Sequence, residues 1–190
     1  MNAPIRNHRI VAAACGVFVL SMLGAAYAAV PLYRMFCQVT GFGGTTQVAS
    51  AAPTRTADRT IRVRFDANVA PGLGWEFHPV QSEMTVKIGE TALAFYRTKN
   101  ASSQDQWGSA TYNVTPEVTG GYFSKIHCFC FEKQHLKAGE EMDMPVQFFI
   151  DPSMVDDRTL DGVQTITLSY TFFAAEPPAR VAGQSAAPKL

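Results

Sequence analysis

From Thr60 onward the hydrophobicity of the chain alternates. Ile61, Val63 and Phe65 are separated by Arg62, Arg64 and Asp66, the pattern of a strand with one face in a core and the other in water. Seven further runs rich in Val, Ile, Thr, Phe and Tyr follow, at 74–80, 81–88, 91–98, 108–114, 122–131, 144–150 and 165–173. Turn signals such as Pro71-Gly72, Gly89-Glu90, Gly120-Gly121 and Asp161-Gly162 separate them. No convincing amphipathic helix intervenes. Short strands at this spacing predict an all-β, immunoglobulin-like β-sandwich over residues 59–175. The Cys…Trp…Cys pattern of true immunoglobulin domains is absent.

The N-terminal part obeys a different rule. Residues 10–30, IVAAACGVFVLSMLGAAYAAV, carry no charge. As a helix they would span about 31 Å, enough for a hydrocarbon core. Arg6, His8 and Arg9 precede the run, and Arg34 is the only charge after it until Arg55. The positive-inside rule then places residues 1–9 in the cytoplasm and the sandwich across the membrane. A cleaved signal peptide is the alternative, with Ala26-Tyr27-Ala28 as its A-x-A site, but the apolar run exceeds an ordinary h-region. Residues 31–58 are expected to form a juxtamembrane segment and linker. Thr40-Gly-Phe-Gly-Gly44 continues a helix poorly, and ASAAPTRTAD at 49–58 is small, polar and broken by Pro53. Residues 176–190, rich in Pro and Ala, are expected to be a disordered tail.

A formal net charge of zero argues against a nucleic-acid partner held by bulk charge. There is no P-loop, GxSxG or HExxH motif. Four cysteines, at 15, 37, 128 and 130, are too few for a disulfide scaffold and lack the paired spacing of structural zinc sites. Cys15 lies in the apolar run and reads as a small apolar residue.

Cys128 and Cys130 occur in the run KIHCFCF. On a regular strand, residues i and i+2 share a face with their Cα atoms about 6.6 Å apart. Two soft donors side by side suit Cu(I). They suit a disulfide poorly, because that spacing approaches its limit and the Cβ vectors are parallel. His127, Phe129 and Phe131 fall on the opposite face. Phenylalanines make the better core, so the thiols are expected to face outward. Lys125 shares parity with the phenylalanines, and a β-bulge near it would reconcile that conflict. Lys125 and Lys133 flank the pair and either favour thiolates or are simply solvated strand-end lysines. Cys37 is a candidate third ligand, redox partner or intersubunit contact. His127 is a ligand by type but points away on a regular strand. His78 and His135 have no partner at ligand spacing. Met142 and Met144 share a face and carry soft thioethers, though methionine more often fills core gaps. Asp156, Asp157 and Asp161 lack an EF-hand pattern and read as a solvated loop.

The segments PLYRMFCQVTGFGGTTQ, GSATYNVTP, GGYFSKIHCFCFEKQ, MPVQFFIDP and ITLSYTFF, in this order, resemble the cytochrome c oxidase assembly protein family that delivers copper to the copper B site of subunit I. The resemblance runs from the membrane segment to about Phe173. It implies one N-terminal membrane helix and an immunoglobulin-like sandwich facing the bacterial periplasm, with the anchor in the inner membrane. It also implies Cu(I) binding by Cys128 and Cys130, a requirement for Cys37 in copper transfer, and a homodimer in the copper-loaded form. Lys133 departs from the family, which often has Glu before the Gln.

The resulting expectation is a metallochaperone rather than an enzyme. Its partners would be oxidase subunit I and an upstream copper donor or thiol reductant. Two rivals remain. One is a thiol–disulfide redox protein, although no C-x-x-C opens a helix in a βαβ pattern. The other is a scaffold that stabilises the oxidase during assembly without metal.

Overall fold

The computed structural model describes residues 3–177. Two compact units divide between Thr40 and Gly41.

The first unit is one helix, α1, Ala3–Thr40. Within it His8–Thr40 is long and apolar enough to cross a membrane. Its leucines, valines and phenylalanines are exposed along their length, as a lipid-facing helix requires. Pro31 lies inside the helix, so residues 31–40, expected to lie beyond the membrane segment, continue it. At 38 residues α1 is roughly 57 Å long, well beyond a hydrocarbon core of about 30 Å. It stops where the sequence predicts: Gly41 takes a left-handed conformation, φ 71°, open to glycine at little cost.

The second unit is a β-sandwich of ten strands: β1 (Gln47–Val48), β2 (Thr60–Val69), β3 (Trp75–Pro79), β4 (Glu83–Lys87), β5 (Ala92–Asn100), β6 (Gln106–Thr115), β7 (Phe123–Cys128), β8 (Gln134–Leu136), β9 (Glu141–Ile150) and β10 (Thr165–Ala175). One sheet has the order β1-β7-β9-β5-β3 and the other β4-β2-β10-β6-β8. Among the described residues only β1–β7 and β2–β10 pair in parallel. All eight strands expected from alternation are present. The two unexpected ones, β1 and β8, span two and three residues, too short for period two to register.

Alternation sets the core. Ile61, Val63 and Phe65 of β2 point inward, as do Ile166, Leu168, Tyr170 and Phe172 of β10. The aromatic side chains interlock: Phe77 stacks on Tyr96 with centroids 5.2 Å apart and meets Phe172 edge-on at 4.8 Å. Residues 49–58 form no regular structure but pack along the sandwich, where the Ala57 N–H donates to the Ile88 carbonyl at 2.8 Å. Glu176 and Pro177 follow β10 without regular structure. The rest of the expected tail, 178–190, lies outside the described residues.

Candidate metal centre

The cysteine pair lies where β7 ends, and two local departures from a regular strand place it. The first is a bulge. The β7–β9 register shifts between Lys125 and His127, where the parity conflict called for one. Lys125 is fully buried and His127 is exposed. One extra residue has turned the chain over.

The second departure corrects two expectations. β7 ends at Cys128, and residues 129–131 form a single 3-10 turn. The Cys130 N–H donates to Cys128 Sγ at 3.1 Å. The Gln134 side-chain amide donates to the Phe129 carbonyl at 2.9 Å. The turn shortens the Cα–Cα separation of the cysteines to 5.2 Å, and the two sulfurs are joined in a disulfide. The obstacle foreseen for a disulfide belongs to an extended strand, and the chain is not extended here. Nor do the cysteines face outward. With the bulge upstream, Cys128, Phe129 and Cys130 are all half-buried and packed against the core. Phe129 stacks on Phe172 at 5.7 Å and meets Phe77 and Tyr96 edge-on.

The sulfurs lie at the rim between the two sheets. The Tyr170 hydroxyl, from β10 of the opposite sheet, is 3.1 Å from Cys128 Sγ and 3.9 Å from Cys130 Sγ. Burial pushes the ionisation of Tyr170 well above the usual phenol range, so a neutral hydroxyl faces the pair. Lys125 Nζ is 3.6 Å from Cys130 Sγ and lies over the ring of Tyr112, 2.6 Å from its centroid. The ring face favours an ammonium. Desolvation opposes it and prevails, pushing the Lys125 pKa down to about 5. Lys125 is therefore not the solvated strand-end lysine of one expectation. Lys133 is exposed and donates to the Glu176 carbonyl at 3.0 Å.

A cleft of about 300 Å³ opens beside Cys128, lined by His127, Phe129, Gln134, Met142 and Met144 among others. Met144 is buried and its sulfur accepts a hydrogen bond from the Thr98 hydroxyl at 3.3 Å. Met142 is 36% exposed.

The remaining candidates belong to other elements. Cys37 is half-buried and Cys15 exposed, both on α1, whereas the pair belongs to the sandwich. His78 is exposed on β3. His135 stacks on Trp107, centroids 4.6 Å apart. Asp157 caps a short turn through Thr159 and accepts a hydrogen bond from the Tyr122 hydroxyl at 2.9 Å. Those bonds hold its carboxyl below the usual range. Among the described residues no three His, Cys, Asp or Glu side chains gather as a metal site. Sequence reasoning missed Tyr112 and Tyr170. Their inward parity was legible, but the partner each would meet across the sandwich was not.

Comparison with known proteins adds an independent line. Residues 29–174 match the family model described as cytochrome c oxidase assembly protein CtaG/Cox11. A cytochrome c oxidase assembly protein CtaG of Brucella anthropi is 53% identical over 95% of this chain and 89% of its own length. The protein of the same name from Sinorhizobium fredii is 51% identical over 93% of this chain and 89% of its own length. That of Brucella ovis is 50% identical over 95% of this chain and 90% of its own length. A model match spanning the sandwich and its approach, with half the residues shared along nearly the whole length, means that this chain belongs to the cytochrome c oxidase assembly protein CtaG/Cox11 family.

Proposed function

We propose that this chain is a membrane-anchored Cu(I) metallochaperone that delivers copper to the copper B site of cytochrome c oxidase subunit I. The observation that carries the reading is the Cys128–Cys130 turn: two sulfurs on half-buried cysteines at a sandwich rim, with Cys128 lining a cleft. A soft monovalent ion is cargo for such a pair. The family's name, cytochrome c oxidase assembly protein, supports the oxidase as the acceptor.

Loading starts from the reduced pair. A dithiol reductant attacks the Cys128–Cys130 disulfide, its own sulfurs leave as a disulfide, and two thiols result. Cu(I) uptake then displaces the two thiol protons and gives a bis-thiolate complex. The Tyr170 hydroxyl can hydrogen-bond a thiolate without carrying charge itself. Cys37 would act in transfer, as a further sulfur on the anchor unit, and the copper-loaded form would be a homodimer. One helix holds the domain at the membrane, with residues 1–9 cytoplasmic and the sandwich periplasmic at the inner membrane. Confinement there raises the effective concentration of donor and acceptor.

The test is anaerobic Cu(I) titration of the reduced full chain in detergent. Stoichiometric binding in wild type, lost in Cys128→Ser, is the expected result. Full retention of copper by Cys128→Ser would remove the pair from the mechanism.

The disulfide itself favours a second reading, a thiol–disulfide redox protein. Rapid catalytic turnover of a model disulfide by the reduced chain, without copper binding, would establish it in place of the first.

A further inference from the structure

We propose that the thioether of Met142 is a third, exchangeable donor to the soft monovalent cation held at the Cys128–Cys130 turn. This rests on the copper reading above. β9 runs antiparallel to β7, with Cys128 opposite Val146. The chain leaving Cys128 therefore heads toward the start of β9, where Met144 and Met142 lie. Both methionines line the cleft that Cys128 opens onto.

The two thioethers differ in availability. Met144 is 1% exposed, and its sulfur already accepts the Thr98 hydroxyl. Met142 is 36% exposed at the mouth of the cleft. Of the other polar groups on the wall, Gln134 is committed to the Phe129 carbonyl through its amide. His127 and Asp143 offer harder donors than sulfur. A methionine that merely filled a gap would be enclosed, as Met144 is.

A thioether adds chemistry that the thiols lack. It binds through a lone pair with no proton to lose, so it joins and leaves a cation without acid–base exchange. The ion stays monovalent throughout. A thiolate can then detach while Met142 and the remaining thiolate keep the ion, opening a position for an incoming ligand.

The test uses the reduced full chain in detergent micelles, carrying methionine labelled with carbon-13 at its methyl group. The Met142 signal is the one absent from Met142→Leu, a volume-conserving change at the rim. Addition of one equivalent of Ag(I) should shift that signal in wild type and leave it in place in the Cys128→Ser, Cys130→Ser double variant. Met142→Leu should raise the Kd for Cu(I) by about tenfold, measured against a competing chelator. A Met142 signal unmoved while the pair binds the ion, or a Kd within about twofold of wild type, overturns the proposal and leaves the copper reading standing. Undiminished binding by the double cysteine variant overturns both.

Discussion

A lysine amine in an apolar interior is costly when charged, so it gives up its proton instead. Lys125 does so, with its pKa pushed down to about 5 by desolvation. In the unfolded chain the same amine titrates near 10.4. Between those values the unfolded state binds one proton more, so the contribution of Lys125 to stability rises with pH across that window. Lys125→Met should therefore stabilise the disulfide form near neutral pH, by on the order of 2 kcal/mol. The gain should grow toward pH 5 and vanish above pH 10, as thermal unfolding of both proteins at several pH values would show. A gain independent of pH would mean that packing, not the amine, sets the difference. The parity of Lys125 with the phenylalanines was legible in the sequence, and so was the need for a bulge. The inward turn of Cys128 and Cys130 was not. Phe129-Cys-Phe131 has every local preference of a strand. What bends it is tertiary: the Gln134 amide holds the Phe129 carbonyl, and Phe129 is drawn onto Phe172.

Secondary-structure elements follow the same division. Strands long enough to show period two were recoverable from sequence, whereas β1 exists only because it adds to the edge of β7. It pairs Gln47 with Ser124 and Val48 with Lys125, and the Ala49 N–H donates to the Lys125 carbonyl at 2.9 Å. Its approach is secured by backbone on backbone. A Cβ at Gly120 would collide with the carbonyls of Gly41 and Thr45. Gly120→Ala should thus destabilise the sandwich by on the order of 2 kcal/mol and speed hydrogen exchange at Ala49 more than at the centre of β9. Equal acceleration at both positions would show that β1 is not a separately opening piece. Because β1 bonds to the backbone of Lys125, this variant should also loosen the strand that carries the cysteines. The turn between β7 and β8 is held instead by side chains, which is why its local sequence gave no warning.

For the whole molecule, the boundary at Thr40 and Gly41 separates an exposed apolar helix, long enough to cross a membrane, from a sandwich with its own core. The proposed orientation predicts that protease added to intact spheroplasts removes the sandwich and spares the helix, while inverted vesicles protect the sandwich. The reverse pattern would place the cysteine pair in the cytoplasm and end the periplasmic reading. Sheet order was not legible at all, because alternation says which face is buried and nothing about neighbours. The parallel pairing of β2 with β10 is the clearest case: Asp66 lies beside Ser169, 103 residues later. Such a long loop closes slowly. During synthesis β2 can pair with β4 early, but its parallel neighbour β10 comes only with nearly the last residues of the sandwich. The sheet β4-β2-β10-β6-β8 therefore cannot be completed until β10 arrives. Tyr170 arrives with it, so a newborn chain has its cysteines for a time without the hydroxyl that later faces them. Birth order, as much as geometry, sets when the pair first acquires its finished surroundings.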